Sequence, residues 1–438
     1  MISSRGQAYA QSGLMDSYAR NKKASYNKDT APEGEFLLHD TVHKFISDHS
    51  TFEASHLTYN EGPIGTLRLR KAMAAHINKH FSPFNPITAE NVTFTAGVTG
   101  LNEMITLSLV DEGEGILLGR PIYGAFRGDM TTRTKYFPPR QVPPPVRNTS
   151  MKHQLTANRS KLVYASFGKT DQFSTEAVKK YEEALLQAQK DGITIKALVL
   201  CNPHNPLGRC YPVETLKALF ALCEKYNLHL VSDEIYALSV FDVEGAARTP
   251  FTSVLSIDPT GVMDPGRIHV MYGMSKDFGA AGIRLGCLVS RNDELTKATQ
   301  AIARFNWPSG ISVSIATTVL EDTAFVEDYT KKSRSLLAEH YALATRTLDD
   351  AGIDYSRDGF ADLTRFDWDR NAGFFLWIDL SPFLSDASSW EAEKALKEKL
   401  SRHGVELASG LGYMEETPGW FRVIFTVERD ALVEGLRR

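Results

Sequence analysis

Cysteine is scarce in this chain, with four residues in 438, at Cys201, Cys210, Cys223 and Cys287. No two of them stand in C-x-x-C spacing, which argues against a zinc ribbon, a dithiol redox centre or a disulfide framework, and a reducing, cytoplasmic setting is expected. Long uncharged runs are also missing. None approaches the roughly 18 apolar residues of a membrane span, and Met1 to Gly6 lacks the apolar stretch of a secretory leader. Excess charge of one sign is absent too: the formal net charge is −4, so neither a nucleic-acid surface nor an anionic-membrane surface is expected. The 12 histidines form no H-E-x-x-H or other ligand cluster, and no metal site is expected. No G-x-G-x-x-G joins a first strand to a helix, since the turn from Ala96 to Asn102 departs from that pattern, which weighs against a nicotinamide dehydrogenase. No internal repeat or low-complexity tract occurs.

What is present is ordinary globular composition, 42% hydrophobic and 23% charged, with length enough for more than one domain. The first 35 residues or so are polar and read as an arm. Helical spacing of apolar residues begins at Leu38, Val42, Phe45 and Ile46, and a second helix is expected from about Thr66 to Lys79. Between them lies a turn-rich segment, Tyr59-Asn60-Glu61-Gly62-Pro63-Ile64-Gly65. Asn91 to Thr95 alternates as a strand does, and passes through Ala96-Gly97-Val98-Thr99-Gly100 into a helix from Leu101 to Leu109. Strand, small-residue turn and helix together make an anion site, because the first backbone amides of the helix face the ligand. Further strands are expected at 115–119, 197–201 and 228–232, with helices at 173–191 and 213–226. Residues 138–161, rich in proline and then polar, read as a surface insertion.

Alternation of strand and helix implies a mainly parallel sheet flanked by helices. In such sheets ligands sit at the carboxyl ends of the strands, which singles out Thr99, Asn205, Asp233, Tyr236 and Lys276. After about residue 310 the pattern changes to long helices (311–320 and 325–348), short strands at 373–380, 405–408 and 420–426, and a helix at 390–403. This is a second, α+β unit. The expected division is 1–54 for the arm and part of the small domain, 55–310 for the large domain and 311–438 for the C-terminal small domain.

Lys276 is the unusual residue. It follows the apolar run Ile268 to Met271 and precedes another, Cys287-Leu288-Val289. Such a lysine is either salt-bridged or a reactive amine, activated when desolvation or a nearby cation lowers its pKa.

Asn202-Pro203-His204-Asn205-Pro206-Leu207-Gly208, Ser232-Asp233-Glu234-Ile235-Tyr236, Ser275-Lys276-Asp277 with Arg284, and Phe421-Arg422-Val423 together resemble the fold-type I pyridoxal-phosphate (PLP) enzymes, the aspartate aminotransferase superfamily, in order and spacing over roughly residues 55 to 425. The resemblance implies an α/β, aspartate aminotransferase-like fold with pyridoxal 5'-phosphate as cofactor. It implies that Lys276 forms the internal aldimine and later moves the substrate proton. Asp233 would pair with the pyridine nitrogen, Asn205 and Tyr236 would bond the ring oxygen, and Tyr123 would stack on the ring. Val98, Thr99, Ser275 and Arg284 would bind the phosphate. Arg422 would grip the α-carboxylate of an amino acid substrate. A homodimer with shared active sites is implied as well. One departure is Gly273, where the family often has serine three residues before the lysine, and weaker PLP retention is expected from it.

Within the superfamily the chain looks most like the aminocyclopropane-carboxylate synthase branch, which includes aminotransferases and carbon–sulfur lyases of secondary metabolism. Ala96 to Glu103, Asp233 to Ala237, Ser275 to Gly279 and Asn371 to Trp377 carry this likeness. Two departures weigh against synthase activity on S-adenosylmethionine. No Ala-Glu-Asn segment stands around Glu33 to Asp40, and Pro63 occupies the place of a synthase tyrosine, with Tyr59 nearby as a substitute from a neighbouring subunit. All three chemistries open alike, with a Cα proton removed by Lys276 to give a quinonoid. An aminotransferase or a C–S lyase is the expected reading, with the synthase and a non-catalytic PLP-fold regulator as alternatives.

Overall fold

The computed structural model describes residues 38–51, 53–59, 61–131, 160–243, 249–355 and 372–438. The polar arm, most of the proline-rich insertion and Asn371 lie outside these residues. Among the described residues there is one seven-stranded sheet and one three-stranded sheet.

The large sheet contains β1 (Val92–Thr95), β2 (Gly115–Arg120), β3 (Lys161–Ser166), β4 (Ile195–Cys201), β5 (His229–Asp233), β6 (Ile268–Gly273) and β7 (Gly286–Ser290), in the order β1-β7-β6-β5-β4-β2-β3. Pairing is parallel from β3 through β6, while β7 runs antiparallel between β6 and β1. The central strands are apolar almost throughout because both faces are covered, and their side chains divide between the faces with a period of two. Leu198, Leu200, Leu230, Val270, Tyr272 and Val289 join one core. Their neighbours Val199, Val231, Met271 and Leu288 join the core of the opposite face.

Helices cover both faces. On the first lie α1 (His39–His49) and α2 (Leu67–His80). On the second lie α3 (Val98–Leu109) and α4 (Phe126–Thr131), through Leu101, Ile105, Phe126 and Met130. The first face also holds α5 (Ala177–Lys190) and α6 (Val213–Lys225), and α7 (Asp293–Ile302) adds Leu295 to the second. Side-chain caps mark several starts: Thr66 accepts from Leu69 N at 3.2 Å, and Asn292 from Leu295 N at 2.8 Å.

Helix α8 (Gly310–Glu321) places Val313, Ala316 and Val319 in the first core of the large sheet, together with Val42 and Phe45 of α1. Helix α9 (Thr323–Asp350) is 28 residues long and serves two cores. Its Val326 and Tyr329 pack with the large sheet, whereas Leu337, Tyr341, Ala344 and Leu348 pack with the small one. The small sheet, β8 (Phe375–Asp379), β9 (Ala408–Ser409) and β10 (Trp420–Ile424), is antiparallel in the order β8-β10-β9. It is backed by α9, by α10 (Trp390–Arg402) through Leu396 and Leu400, and by α11 (Arg429–Arg437) through Leu432.

Three local expectations are corrected. Residues 160 and 161 do not belong to a surface insertion: Ser160 is buried and Lys161 opens β3, an edge strand that the preceding polar run concealed. The strand expected at 405–408 shrinks to Ala408–Ser409, because only these residues pair with β10. Helices α7 and α11 lie in stretches where no helix was expected. No helix among the described residues is long and apolar enough to cross a membrane.

Candidate active site

Sheet register brings the candidate residues to one edge. Cys201 at the end of β4 is opposite Asp233 at the end of β5, and Asp233 is opposite Met271. Two residues further along β6, Gly273 is opposite Gly286, which is in turn opposite Thr95 of β1. The loops leaving these strands carry Asn205, Tyr236, Lys276 and Gly97, and β7, running the other way, delivers Arg284 to the same edge.

Close backbone approach depends on glycine here. A Cβ on Gly286 would stand 2.7 Å from the Val98 amide nitrogen, and one on Gly97 would stand 2.5 Å from Nη2 of Arg284. Gly97 is the N-cap of α3 with φ of +91°, a conformation that costs a side-chain-bearing residue about 1 kcal/mol or more. The guanidinium of Arg284 therefore lies directly over the start of α3, where the amides of Val98 and Thr99 have no intrahelical acceptor. Arg284 itself is left-handed, with φ 52° and ψ 60°, and its Nη1 donates back to Ala281 O at 3.0 Å. A positive charge, unused helix amides and no side chain in the way together make an anion cup.

Gly273 has a structural reason. A Cβ there would meet Leu285 O at 2.6 Å and Gly286 Cα at 2.8 Å. The place of the family's serine is filled by the backbone that carries Arg284, so the hydroxyl was exchanged for a closer β6–β7 approach.

Asp233 is buried, and among the described residues its carboxyl accepts one hydrogen bond, from Ile235 N at 3.3 Å. Burial raises its carboxyl to about 7; the Asp129 charge adds to this, while Ile235 N and the nearby Lys276 charge oppose it. Its neighbour Glu234 is buried and accepts from Ser232 Oγ, Ser253 Oγ and Val254 N at 3.0, 2.6 and 3.0 Å, and burial still pushes it up to about 8. The residue after the lysine, Asp277, accepts from Leu238 N, Ser239 Oγ and Tyr272 Oη at 2.9, 2.6 and 3.0 Å. This ties the lysine loop to the segment that follows Tyr236.

Tyr236 is buried edge-on to Phe374 and Phe375, with ring centroids 5.3 and 5.4 Å apart. Burial raises its phenol, and the Arg422 charge lowers it. Arg422, on the central strand of the small sheet, donates from Nη1 to Asn205 Oδ1 at 3.1 Å, which joins the two sheets. Its guanidinium lies 5.2 Å from the Phe375 ring and 5.1 Å from the Tyr413 ring, and its buried Nε has no hydrogen-bond partner among the described residues. Tyr123 follows β2, and burial raises its phenol; the Asp129 and Asp233 charges add to this, and Arg422 lowers it.

The structure thus brings Val98, Tyr123, Asn205, Asp233, Tyr236, Ser275, Lys276, Arg284 and Arg422 to one end of the large sheet. Thr99 is there too, at the second position of α3, with its side chain exposed. Tyr59 is not. It is 82% exposed and packs on Trp307 with ring centroids 5.3 Å apart. Two residues beside the site, Asp129 and Tyr413, carried no sequence signal, and Asn102 stood in the Ala96 to Glu103 run without a role of its own. Asn102 donates to Asp129 Oδ2 at 3.0 Å, and Tyr413 arrives on the loop whose carbonyl accepts from Ile122 N at 2.9 Å. Among the described residues, no group of three or more His, Cys, Asp or Glu is arranged to hold a metal.

Comparison with known proteins agrees with this architecture. Residues 142–438 match the family profile described as "Aminotransferase class I and II". A probable aminotransferase of Claviceps purpurea, tcpI, is 30% identical over 93% of this chain and 86% of its own length. A mouse protein described as a probable inactive 1-aminocyclopropane-1-carboxylate synthase-like protein 2 is 29% identical over 97% of this chain and 69% of its own. A double mutant of Thermus thermophilus aspartate aminotransferase shares the fold with a TM-score of 0.69, covering 100% of this chain and 98% of that one at 18% identity. The chain belongs to the class I and II aminotransferases, a fold-type I family whose cofactor is pyridoxal 5'-phosphate.

Proposed function

We propose that this chain is a PLP-dependent enzyme that breaks the Cα–H bond of an α-amino acid and that its reaction is amino transfer. One observation carries the reading: a buried carboxylate at a strand end, Asp233, shares a sheet edge with Lys276 and with an arginine-capped helix start. The residues fit the cofactor. Gly97 and Gly286 let the Arg284 guanidinium and the Val98 amide stand where a Cβ would be, and the buried Asp233 carboxyl takes one long hydrogen bond among the described residues, so a ring N–H would complete it.

When bound, PLP supplies a conjugated pyridine ring that accepts the electron pair left by a bond broken at Cα. The protein supplies the rest. Asp233 holds a proton at the ring nitrogen. Arg284, Ser275 and the amides of Val98 and Thr99 hold the phosphate, and Tyr123 covers a ring face. Asn205 and Tyr236 hydrogen-bond the ring oxygen. Arg422 takes the substrate carboxylate in bidentate fashion, which turns the Cα–H bond toward Lys276, and Lys276 Nζ removes and redelivers that proton. The Arg422–Asn205 bond links the substrate grip to the ring-oxygen contact. Tyr59, on the surface beside Trp307, would reach a site only from a second copy of the chain, as a homodimer with shared sites requires.

The description of the fungal relative as a probable aminotransferase supports transfer over elimination. Lys276, Asp233 and Arg422 are all present, which supports activity although the mouse relative is described as probable inactive. Adding PLP to the purified chain should produce a visible absorption band that Lys276→Ala lacks. Amino acid plus keto acid should then exchange their amino group. No band in the wild type would sink the cofactor reading. Pyruvate and thiol from a cysteine S-conjugate, without need of a keto acid, would replace transfer by C–S lysis. Cyclopropane formation from S-adenosylmethionine would replace it by synthase chemistry.

A further inference from the structure

The proposed roles leave Asp129 unused, yet it lies inside the charge balance of the site. It sits on α4, which packs across α3, the helix whose start forms the anion cup. Its carboxylate accepts from Asn102 Nδ2 at 3.0 Å, and Asn102 lies one turn along α3 from Val98. The other end of that amide is the telling atom: Asn102 Oδ1 is buried and has no hydrogen-bond partner among the described residues. An ionised Asp129 only accepts, so it leaves Asn102 Oδ1 unsatisfied. A protonated Asp129 can donate to it while still accepting from Nδ2, which closes a two-bond acid–amide pair.

We propose that Asp129 is a proton-linked counter-anion of the Arg284 cup: ionised when the cup is empty, and protonated, paired with Asn102, when a dianionic group binds there.

The surrounding charges have the required signs. Burial raises the Asp129 carboxyl to about 6, Asn102 lowers it, the charge of Glu103, the next residue of α3, raises it and Arg284 lowers it. Among the described residues, Asp233 and Tyr123 also feel its charge. A dianion on Arg284 offsets the cation that, among the described residues, favours ionised Asp129, and adds negative charge beside it. Both effects raise its proton affinity, and linkage makes the coupling reciprocal. The anion therefore binds more tightly where Asp129 is protonated. This rests on the proposed function only in taking the cup to be an anion site.

The probe is sulfate, which stays dianionic across the range and forms no bond to Lys276. Calorimetry on the full chain without cofactor, in two buffers of different ionisation heat, should show uptake of roughly half a proton per sulfate near pH 7, for a shift of about one unit or more. With that uptake, sulfate affinity should weaken by about threefold per pH unit above pH 6. Asp129→Asn reproduces the shape and both hydrogen bonds of the protonated pair. It should abolish the proton uptake, flatten the pH dependence and bind sulfate at pH 8 several-fold more tightly than the wild type. Glu103→Gln should keep the uptake. Equal proton uptake in wild type and Asp129→Asn overturns the inference while the cup stands. So does a wild-type affinity that is flat from pH 6 to 8, a result that needs no variant. No sulfate binding, or binding indifferent to Arg284→Ala, overturns the inference and the anion cup together.

Discussion

Replacing Gly273 by the serine common in the family should weaken this protein, although at face value it restores a phosphate contact. A Cβ at 273 stands 2.6 Å from Leu285 O and 2.8 Å from Gly286 Cα. Both are backbone atoms of the segment entering β7, so no rotamer change relieves them. Ordinary contact at 3.4 Å requires a separation of about 0.8 Å (3.4 − 2.6), in a pair held by Met274 N to Leu285 O at 3.1 Å. Overpacking of this kind costs about 1–3 kcal/mol, and a rigid backbone on both sides puts Gly273→Ser at the upper end. The shift also moves Arg284 relative to α3. Loss of one charge-assisted hydrogen bond, about 1.5–3 kcal/mol, weakens PLP binding by about 10- to 150-fold. Urea unfolding of the cofactor-free chain and a PLP titration measure both. Gly282→Ala is the control in the same loop, since its Cβ meets nothing within 4 Å, and it should behave as wild type. A Gly273→Ser variant with wild-type urea stability and tighter PLP binding would refute the packing argument.

Arg422→Lys keeps the charge but loses the planar fork and the Asn205 bond. Steady-state kinetics should show kcat/KM for the amino acid falling by about 10- to 150-fold, for about 1.5–3 kcal/mol lost, with PLP retained. Gly124→Ala would put a Cβ 1.8 Å from Gly412 O. It should push the Tyr413 loop away, expose the Ile122 amide to exchange and lower kcat/KM, as hydrogen exchange and kinetics would show. Glu234, raised to about 8 from 4.5, holds a proton in the folded chain that the unfolded chain releases above pH 4.5. Its contribution to stability is therefore lost as pH rises from about 4.5 to 8. Urea unfolding of Glu234→Gln should be less pH-dependent than the wild type over that window.

The large sheet was legible because its central strands are apolar runs closed by polar residues. The Asp233 and Lys276 segments were legible because their chemistry is confined to short, ordered motifs. The edge strand β3 was not legible, since a half-exposed strand after a polar tract lacks a continuous apolar signal. Nor was Asp129, whose surroundings are set by a hydrogen bond from Asn102 and the charge of Arg284, 27 and 155 positions away by their numbers.

By itself the sequence determined the family and pointed to the candidate groups: a lysine, an acid at a strand end and two arginines. These are set by residue type at fixed spacing along one strand–loop unit. Only the tertiary structure decided how they meet. The register of β6, β7 and β1 stacks Gly273, Gly286 and Gly97 so that Arg284 lies over a helix start, and β10 carries Arg422 to Asn205. It also decided that Tyr59 is exposed against Trp307 and that Gly273 cannot be serine without moving the backbone beside it. Such outcomes depend on distances between segments remote in the chain, which no local pattern encodes.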